Sequence, residues 1–425
     1  MVSVIIESLQ KSNYASLTSV VPGEADAFCA EAARQGKATI LTSDSDLLVH
    51  DLGQQGRVIL FRDFEIVHLA SKGKCMKAVE YFPTGIASRL GLPNLVKAAY
   101  FMNEDNHRSF VEAVRLAKVQ DVSGLEYREF EQLYGSLPVH SDFADTCTLN
   151  PTSPFSRVLS RLDPRVSELV HQLKPMEGGQ RSLTMYLPFM IDDPTKTTAW
   201  RIGEDIRRIG YSALQLVDRG ISSVEEVERK GTRVGMSMMS LSSIESTLVD
   251  ARELVRRLEA GDLSTNAAWR CFAMETALDW SVRNLKPLPT QHETLTLALT
   301  PRTAPLTWRA IHAGASMQAV IYSLRVLWQL LAVVVSFCEA MGTDTDGFRP
   351  LFGILERMPG LAEVLEGADE GDQGAREMVV ERFARYRGTS EGKVKKKQKE
   401  KIGERVGMRE QGAWQKSNPY AALGG

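Results

Sequence analysis

Four carboxylates in one short stretch carry the strongest chemical signal in this chain: Glu24, Asp26, Asp44 and Asp46. Glu24 and Asp26 open a segment with helical apolar spacing, and Asp44 and Asp46 follow a short apolar run. In the first turn of a helix the Cβ vectors tilt back toward the N-terminus, so Glu24 and Asp26 approach one point beyond the helix tip. Asp44 and Asp46, two positions apart in an extended segment, share a face. Two such pairs brought together repel unless a cation lies between them. Hard oxygen ligands select Mg²⁺ or Mn²⁺, and Mg²⁺ keeps waters and a substrate phosphate as its other ligands. This is the apparatus of metal-assisted phosphodiester cleavage, with the four carboxylates as metal-ligating and catalytic residues.

The elements that must position them are legible nearby. Ala25, Phe28, Cys29, Ala32 and Ala33 lie on one face of a helix, with Pro22 and Gly23 at its start and Gly36 at its stop. Ala38–Leu41 reads as a short buried strand that delivers Asp44 and Asp46 to its end, where ligand crevices form in α/β sheets. Each carboxylate alone has a plainer reading. Glu24 and Asp26 also complement a helix macrodipole, and Ser43 or Asp44 also suits the N-cap of a helix beginning at Leu47. All four in this order favour descent from a metal site.

The motif Gly23-Glu24-Ala25-Asp26-Ala27 followed by Thr42-Ser43-Asp44-Ser45-Asp46 resembles the internal block of the flap-endonuclease/XPG nucleases. The wording VPGEAD…ILTSDSDLLVHDLG, with LPFMIDDP at 187–194, is most similar to the Asteroid branch in its fungal form. The resemblance implies a PIN-like α/β domain in which Glu24 and Asp26 match one acidic pair and Asp44 and Asp46 the other. It implies metal-dependent cleavage of structured DNA or RNA in a complete homologue. Family members begin with a block carrying a core strand and further acidic and basic residues, whereas the first 23 residues here hold a single acid, Glu7. The expectation is therefore an incomplete PIN-like domain with weak or no cleavage. The alternative is a non-catalytic PIN-like scaffold that binds protein or RNA. Gly91-Leu92-Pro93 departs from the glycine-rich turn with which flap endonucleases grip duplex backbone, so that docking mode is not implied.

Composition sets outer limits. The 425 residues, 43% hydrophobic and 24% charged, suit two or three globular domains. A net charge of −2 gives no global attraction for nucleic acid, so such binding must use local basic patches. Five scattered cysteines without CxxC pairs, and an N-terminus too polar for a signal peptide, point to a reducing intracellular compartment.

The chain then divides into an incomplete PIN-like domain at 1–120, an irregular linker at 121–160, a mainly α-helical domain at 161–387 and a disordered basic tail at 388–425. Arg57–Phe61 and Phe64–Leu69 read as two strands, and helices follow around Gly91 and at Phe110–Lys118. His50 and His68 are read as structural, since no partner ligands stand at metal spacing. Asp192 and Asp193 before Pro194 are read as a turn and helix start. Further helices are expected at 163–173, 246–260, 265–284 and 305–342. The run VLWQLLAVVVSFC at 326–338 is read as a core helix, too short to cross a bilayer, so no membrane partner is expected. Lys393, Lys395, Lys396, Lys397 and Lys399 suit either a solvated tail or a nuclear-import signal or nucleic-acid contact, and a nuclear protein is expected.

Overall fold

The computed structural model describes residues 2–18, 20–21, 25–69, 73–105, 107–134, 158–159, 161–174, 179–284, 286, 307–365, 377–381 and 383–384. Glu24, the basic tail with its five lysines, and residues 135–157 lie outside the described residues. The chain forms two compact units, Val21–Asp145 and a second made of Met1–Val20 with Thr146–Gly425. The first 20 residues, expected in the PIN-like domain, thus group with the second unit. Helix α1 (Val2–Gln10) holds them there through Glu7, which pairs with Arg325 and accepts the Leu361 N–H at 2.7 Å.

In the unit 21–145, helix α2 (Asp26–Gly36) leads into β1 (Thr39–Thr42). The buried positions of α2 are Ala30 and Ala33, while Ala32, expected inward, is exposed. Lys37 rather than Gly36 adopts the left-handed conformation that ends the helix, at φ 52°. β1 pairs in parallel with β2 (Arg57–Leu69), and β2 pairs antiparallel with β3 (Gly73–Tyr81), giving the order β1-β2-β3. Val58 and Leu60 of β2 pack with Ala30, Ala33, Leu47 and Leu52 in one small core. Gly56 is required where the chain enters β2, because a Cβ there would stand 2.4 Å from the Leu52 carbonyl oxygen.

Two expected strands are in fact one. β2 runs through Arg62-Asp63 with a register shift between Ile59 and Phe64, a bulge that bends it without ending it. β3 was not expected at all. Seven of its nine residues are exposed, so no alternation of apolar and polar types marks it. Four helices follow: α3 (Pro83–Arg89), α4 (Val96–Glu104), α5 (Phe110–Val119) and α6 (Leu125–Leu133). The turn after α3 uses Gly91 at φ +67°, a conformation that favours glycine. Ala98, Phe101, Ala113 and Ala117 knit α4 and α5, and Tyr127 and Phe130 of α6 lean on this cluster. α6 lies within 121–160, expected to be irregular; its apolar positions are few, and no residue of it is fully buried.

The second unit has many helices, as expected, and it also holds a small sheet that was not expected. β4 (Arg181–Tyr186), β5 (Ile221–Lys230) and β6 (Arg233–Ser240) form a sheet, β5 parallel to β4 and antiparallel to β6. β5 conceals itself in sequence because two of its buried positions are Glu226 and Glu228. Their charges are met by arginines, so no apolar alternation is needed. Around the sheet stand α7 (Pro164–Val170), α8 (Glu204–Ala213), α9 (Ile244–Glu259), α10 (Asn266–Arg283), α11 (Trp308–Met341), α12 (Arg349–Glu356) and α13 (Leu361–Leu365). The expected helix at 163–173 is shorter, ending at Val170, and Asp163 caps it by accepting the Arg165 N–H at 3.0 Å.

Helix α11 is 34 residues long and, by length and apolarity, long enough to cross a membrane, unlike the shorter run read from sequence. In this unit 72% of its most apolar window is buried by protein. Gly203 and Gly210, before and within α8, let that helix approach α11 closely. Arg207 of α8 is completely buried; its Nε and Nη2 donate to Glu226 at 2.5 and 2.8 Å, and Nη1 donates to Ser323 Oγ at 2.8 Å. Asp192 is buried as well. It accepts from Arg229 Nε at 2.6 Å and from the Ala199 N–H at 2.9 Å, so it joins a buried ion pair rather than a simple turn. Asp193 does hold a turn, accepting from Thr195 N and Oγ1 at 3.0 and 2.7 Å.

Candidate active site

The three described carboxylates of the motif lie on two neighbouring elements. Asp26 is the first residue of α2, half-buried, in the turn where an anion complements the helix dipole. Asp44 and Asp46 are exposed in the loop after β1. That loop is built from its own side chains. Thr42 Oγ1 accepts the Asp44 N–H at 3.0 Å, and Asp44 Oδ1 accepts the Asp46 N–H at 3.0 Å. Short polar side chains bonding backbone two residues on are what hold such turns. A single 3₁₀ turn, Asp46–Leu48, follows with Ser45 as its cap residue, where a longer helix from Leu47 was one expectation. Leu47 drops into the core and anchors the loop.

Beneath the acidic loop sits His50, buried, with its ring 5.0 Å from that of Tyr134 in an edge-to-face contact. Tyr134 ends α6 and continues an aromatic series: Phe130 at 5.1 Å, and beyond it Tyr100 at 5.4 Å from Phe130. The helical cluster thereby carries a phenol to the carboxylate end of the sheet. Burial raises the Tyr134 pKa, and Asp46, Asp44 and Asp26 raise it further. Burial depresses the His50 pKa despite the opposing pull of Asp46 and Asp44. At neutral pH the site thus presents an uncharged imidazole and a protonated phenol next to the aspartates. His50 Nδ1 is buried without a hydrogen-bond partner among the described residues.

Among the described residues, no three His, Cys, Asp or Glu side chains stand close enough to hold a metal ion. Glu24, the fourth member of the motif, is outside the described residues. The donor chemistry of the aspartates fits Mg²⁺ or Mn²⁺, since both take carboxylate oxygens and Mg²⁺ commonly needs only one or two, completing its shell with water and phosphate. The cations on α2 and just beyond it point elsewhere: Arg34, in its last turn, pairs with Glu31 and lies 3.7 Å from Asp51, and Lys37 caps the same end.

Sequence reading missed Tyr134 altogether, since it follows a helix that carried little apolar signal. His50 was read as structural, and its contact with Tyr134 and buried ring agree with that, but its neighbours Asp44 and Asp46 place it at the site. His68 is exposed on β2.

The family described as "XPG domain containing" matches residues 1–241, more than half of the chain, and the chain belongs to that family. Its membership makes this a PIN-like, nuclease-related protein of a family that generally uses Mg²⁺. No curated protein and no solved structure matches the chain.

Proposed function

We propose that the end of the sheet formed by α2 and the β1 loop is a phosphodiester site of the Asteroid-type XPG class, with Glu24, Asp26, Asp44 and Asp46 as its acids, acting weakly on structured DNA or RNA. The observation that supports this reading is that Asp26 opens α2, which packs against β1 and against the 3₁₀ turn that begins at Asp46. A bound Mg²⁺ or Mn²⁺ supplies an activated water and neutralises phosphate charge. Asp26, Asp44 and Asp46 supply carboxylate oxygens for such an ion or its waters, and Asp44 has one oxygen committed to the Asp46 N–H. Tyr134, kept protonated, offers an O–H donor at the site, and the neutral His50 ring braces it. Weak turnover is expected because transition-state stabilisation in phosphoryl chemistry rests on cations aimed at the developing charge, and among the described residues of α2 Arg34 is engaged by Glu31.

A second reading, a scaffold that binds protein or RNA, is favoured by the bare β2–β3 ribbon, where Phe61, Ile66, Met76 and Val79 are all more than half exposed. The deciding experiment incubates the full chain with flap, overhang and single-stranded DNA and RNA in Mn²⁺, beside Asp44→Asn and Tyr134→Phe. Slow cleavage that disappears in Asp44→Asn supports the nuclease reading. Binding without any cleavage supports the scaffold.

A further inference from the structure

In the first unit the β2–β3 ribbon runs on past the three-stranded part of its sheet. β1 pairs with β2 only from Arg57 to Leu60, so from Phe64 to Leu69 the sheet partner of β2 among the described residues is β3 alone. β3 has β2 on one side and, among the described residues, no strand on the other. A two-stranded ribbon is marginally stable by itself in water and gains independent stability from a third strand or a packed face. Here one face is bare: Ile66 and Met76, opposite each other in the ladder, are 66% and 75% exposed. Open edges are commonly closed off by a proline or a bulge. β3 contains no proline, and its ladder with Phe64–Leu69 is regular, the register shift lying earlier, between Ile59 and Phe64.

The order of charges along β3 selects what pairs with that edge. When a strand pairs antiparallel with its own copy about a twofold axis, opposed side chains share a face. A residue then stands opposite itself or opposite one an even number of positions away. On β2, Asp63 and Glu65 both lie an odd number of positions from Arg62 and from His68, so no self-pairing joins opposite charges there. On β3, Lys74 and Glu80 lie an even number apart. Centring the axis on Lys77 sets Lys74 opposite Glu80 of the other copy at both ends, Met76 opposite Ala78 and Cys75 opposite Val79. Lys77 then faces itself, the one unfavourable pair, and Glu65, its direct partner on β2, stands beside it in each copy. The ion pair of Glu80 with Arg57, 3.5 Å long and exposed, competes only weakly.

We propose that β3 pairs antiparallel with β3 of a second copy of this chain, centred on Lys77, so that two ribbons become one continuous sheet. The pairing gives the open edge its backbone hydrogen bonds. It also lengthens the bare apolar row, since Ile66 and Met76 of one copy run on into Ala78 and Phe64 of the other. The pairing is independent of the phosphodiester site and stands whether or not that site cleaves.

The test is sedimentation velocity of the full chain over a concentration series, with hydrogen exchange of β3 read at the two ends of the series. Lys74→Glu and Glu80→Lys each set like charges opposite one another at both ends of the pairing, and the two together restore opposite charges. Both positions are exposed, so circular dichroism should stay native. The expected result is a dimer that grows with concentration, with slower exchange in β3 as it forms. Each single reversal should weaken dimerisation about tenfold, because two cross-strand pairs turn from attractive to repulsive. Lys74→Glu with Glu80→Lys should return to near the wild-type affinity. If a single reversal unfolds the ribbon, the double variant and the wild-type exchange still decide. A chain that stays monomeric to about 200 µM, far above the Kd of weak specific interfaces, overturns the assignment. So does a dimer whose β3 exchange is unchanged, or a double variant that dimerises no better than the single ones.

Discussion

His50 and Tyr134 meet edge to face at 5.0 Å, joining the acidic loop of the first unit to the end of its last described helix. The pair explains why a helix with so little apolar surface is present at all. α6 brings Tyr127 and Phe130 against Tyr100, at 5.2 and 5.4 Å, and Tyr134 onto His50. Edge-to-face aromatic contacts of this kind each stabilise by roughly 0.5–1.5 kcal/mol beyond area burial. Removing the Tyr134 ring therefore loosens both α6 and the carboxylate loop. Tyr134→Ala should raise hydrogen exchange in α6 and in residues 44–50 together, whereas Tyr134→Phe should leave both near the wild-type rate. Exchange that rises in only one of the two segments shows that the contact does not couple them.

The His50 ring also fixes a pH dependence. Its pKa in the folded unit is below the ordinary histidine value because burial outweighs the attraction of Asp46 and Asp44. The unfolded chain then binds the proton more tightly than the native one. Stability is full above the unfolded histidine pKa, near 6.5, and is lost as pH falls below it. His50→Phe keeps a ring against Tyr134 and removes the titration. Its unit should lose less protection than wild type between pH 7.5 and about 5.5, read by hydrogen exchange of β1 and β2. The same loss in both proteins would mean that His50 is not the group responsible. His312, depressed in the same direction by burial and by Lys196, titrates in the other unit and does not enter this readout.

The loop around Asp44 separates a metal role from a scaffolding one. Asp44 Oδ1 holds the Asp46 N–H, and an asparagine retains that oxygen, so Asp44→Asn keeps the turn while Asp44→Ala loses it at about 0.5–1.5 kcal/mol, the usual net worth of one hydrogen bond. If the acids take Mn²⁺, saturating metal should raise the thermal midpoint of wild type, because a ligand bound only by the native state stabilises it. Asp44→Asn with Asp46→Asn should remove that rise. Its apo midpoint should match or slightly exceed wild type, as two like charges are gone. An equal response to Mn²⁺ in both proteins places the metal elsewhere.

How far these features were legible in sequence depends on whether apolar residues marked them. α2, β1 and the long helices α9, α10 and α11 stand within a few residues of where spacing put them; the helices bury apolar residues, whereas β1, expected to be buried, has no buried residue and leaves Leu41 exposed. The acid doublets were visible for a different reason: their types and order are unusual. The second sheet escaped because Glu226 and Glu228 occupy inward positions of β5, and only tertiary partners, Arg207 and Arg201, make them acceptable there. Asp192 was read as a turn former because its partner, Arg229, lies far along the chain. Tyr134 stands four residues after Phe130, the spacing of neighbours on a helix, but its contact with His50 has no local signal in the sequence.

The Arg207–Glu226 pair makes a sharp prediction about the second unit. Both side chains are essentially without solvent, and Tyr211 donates a further hydrogen bond to Glu226 Oε1 at 2.9 Å. Removing one partner leaves a buried charge uncompensated, a loss of roughly 3–5 kcal/mol. Glu226→Ala should therefore destabilise severely. Replacing the pair together, Arg207→Met with Glu226→Leu, should recover much of that loss, since apolar residues of similar volume often substitute for a buried ion pair without penalty. Urea denaturation of the three variants checks this. A double variant as unstable as Glu226→Ala would show that the hydrogen bonds to Trp200 and Ser323 matter more than the charges.

Gly203 tests the packing that keeps this pair in place. It precedes α8 at the contact with α11, and a Cβ there would stand 2.1 Å from Ser323 Oγ and 3.1 Å from the Ala319 carbonyl oxygen. The hydroxyl is not free to swing away. Ser323 Oγ donates to Ala319 O at 2.6 Å and accepts from Arg207 Nη1 at 2.8 Å. Gly203→Ala must therefore either displace α8 from α11 or break the hydrogen bond that steadies Arg207. Overpacking of a close helix contact costs about 1–3 kcal/mol, and this position should fall at the upper end. Ser323→Gly opens the space and removes the clashing Cβ, at about 1 kcal/mol for glycine inside a helix. Because the two residues share one contact, their effects should not add: Gly203→Ala with Ser323→Gly should be less destabilised than the sum of the single changes by more than about 0.5 kcal/mol. Strict additivity, or a neutral Gly203→Ala, would mean that α8 and α11 do not approach as closely as this packing requires.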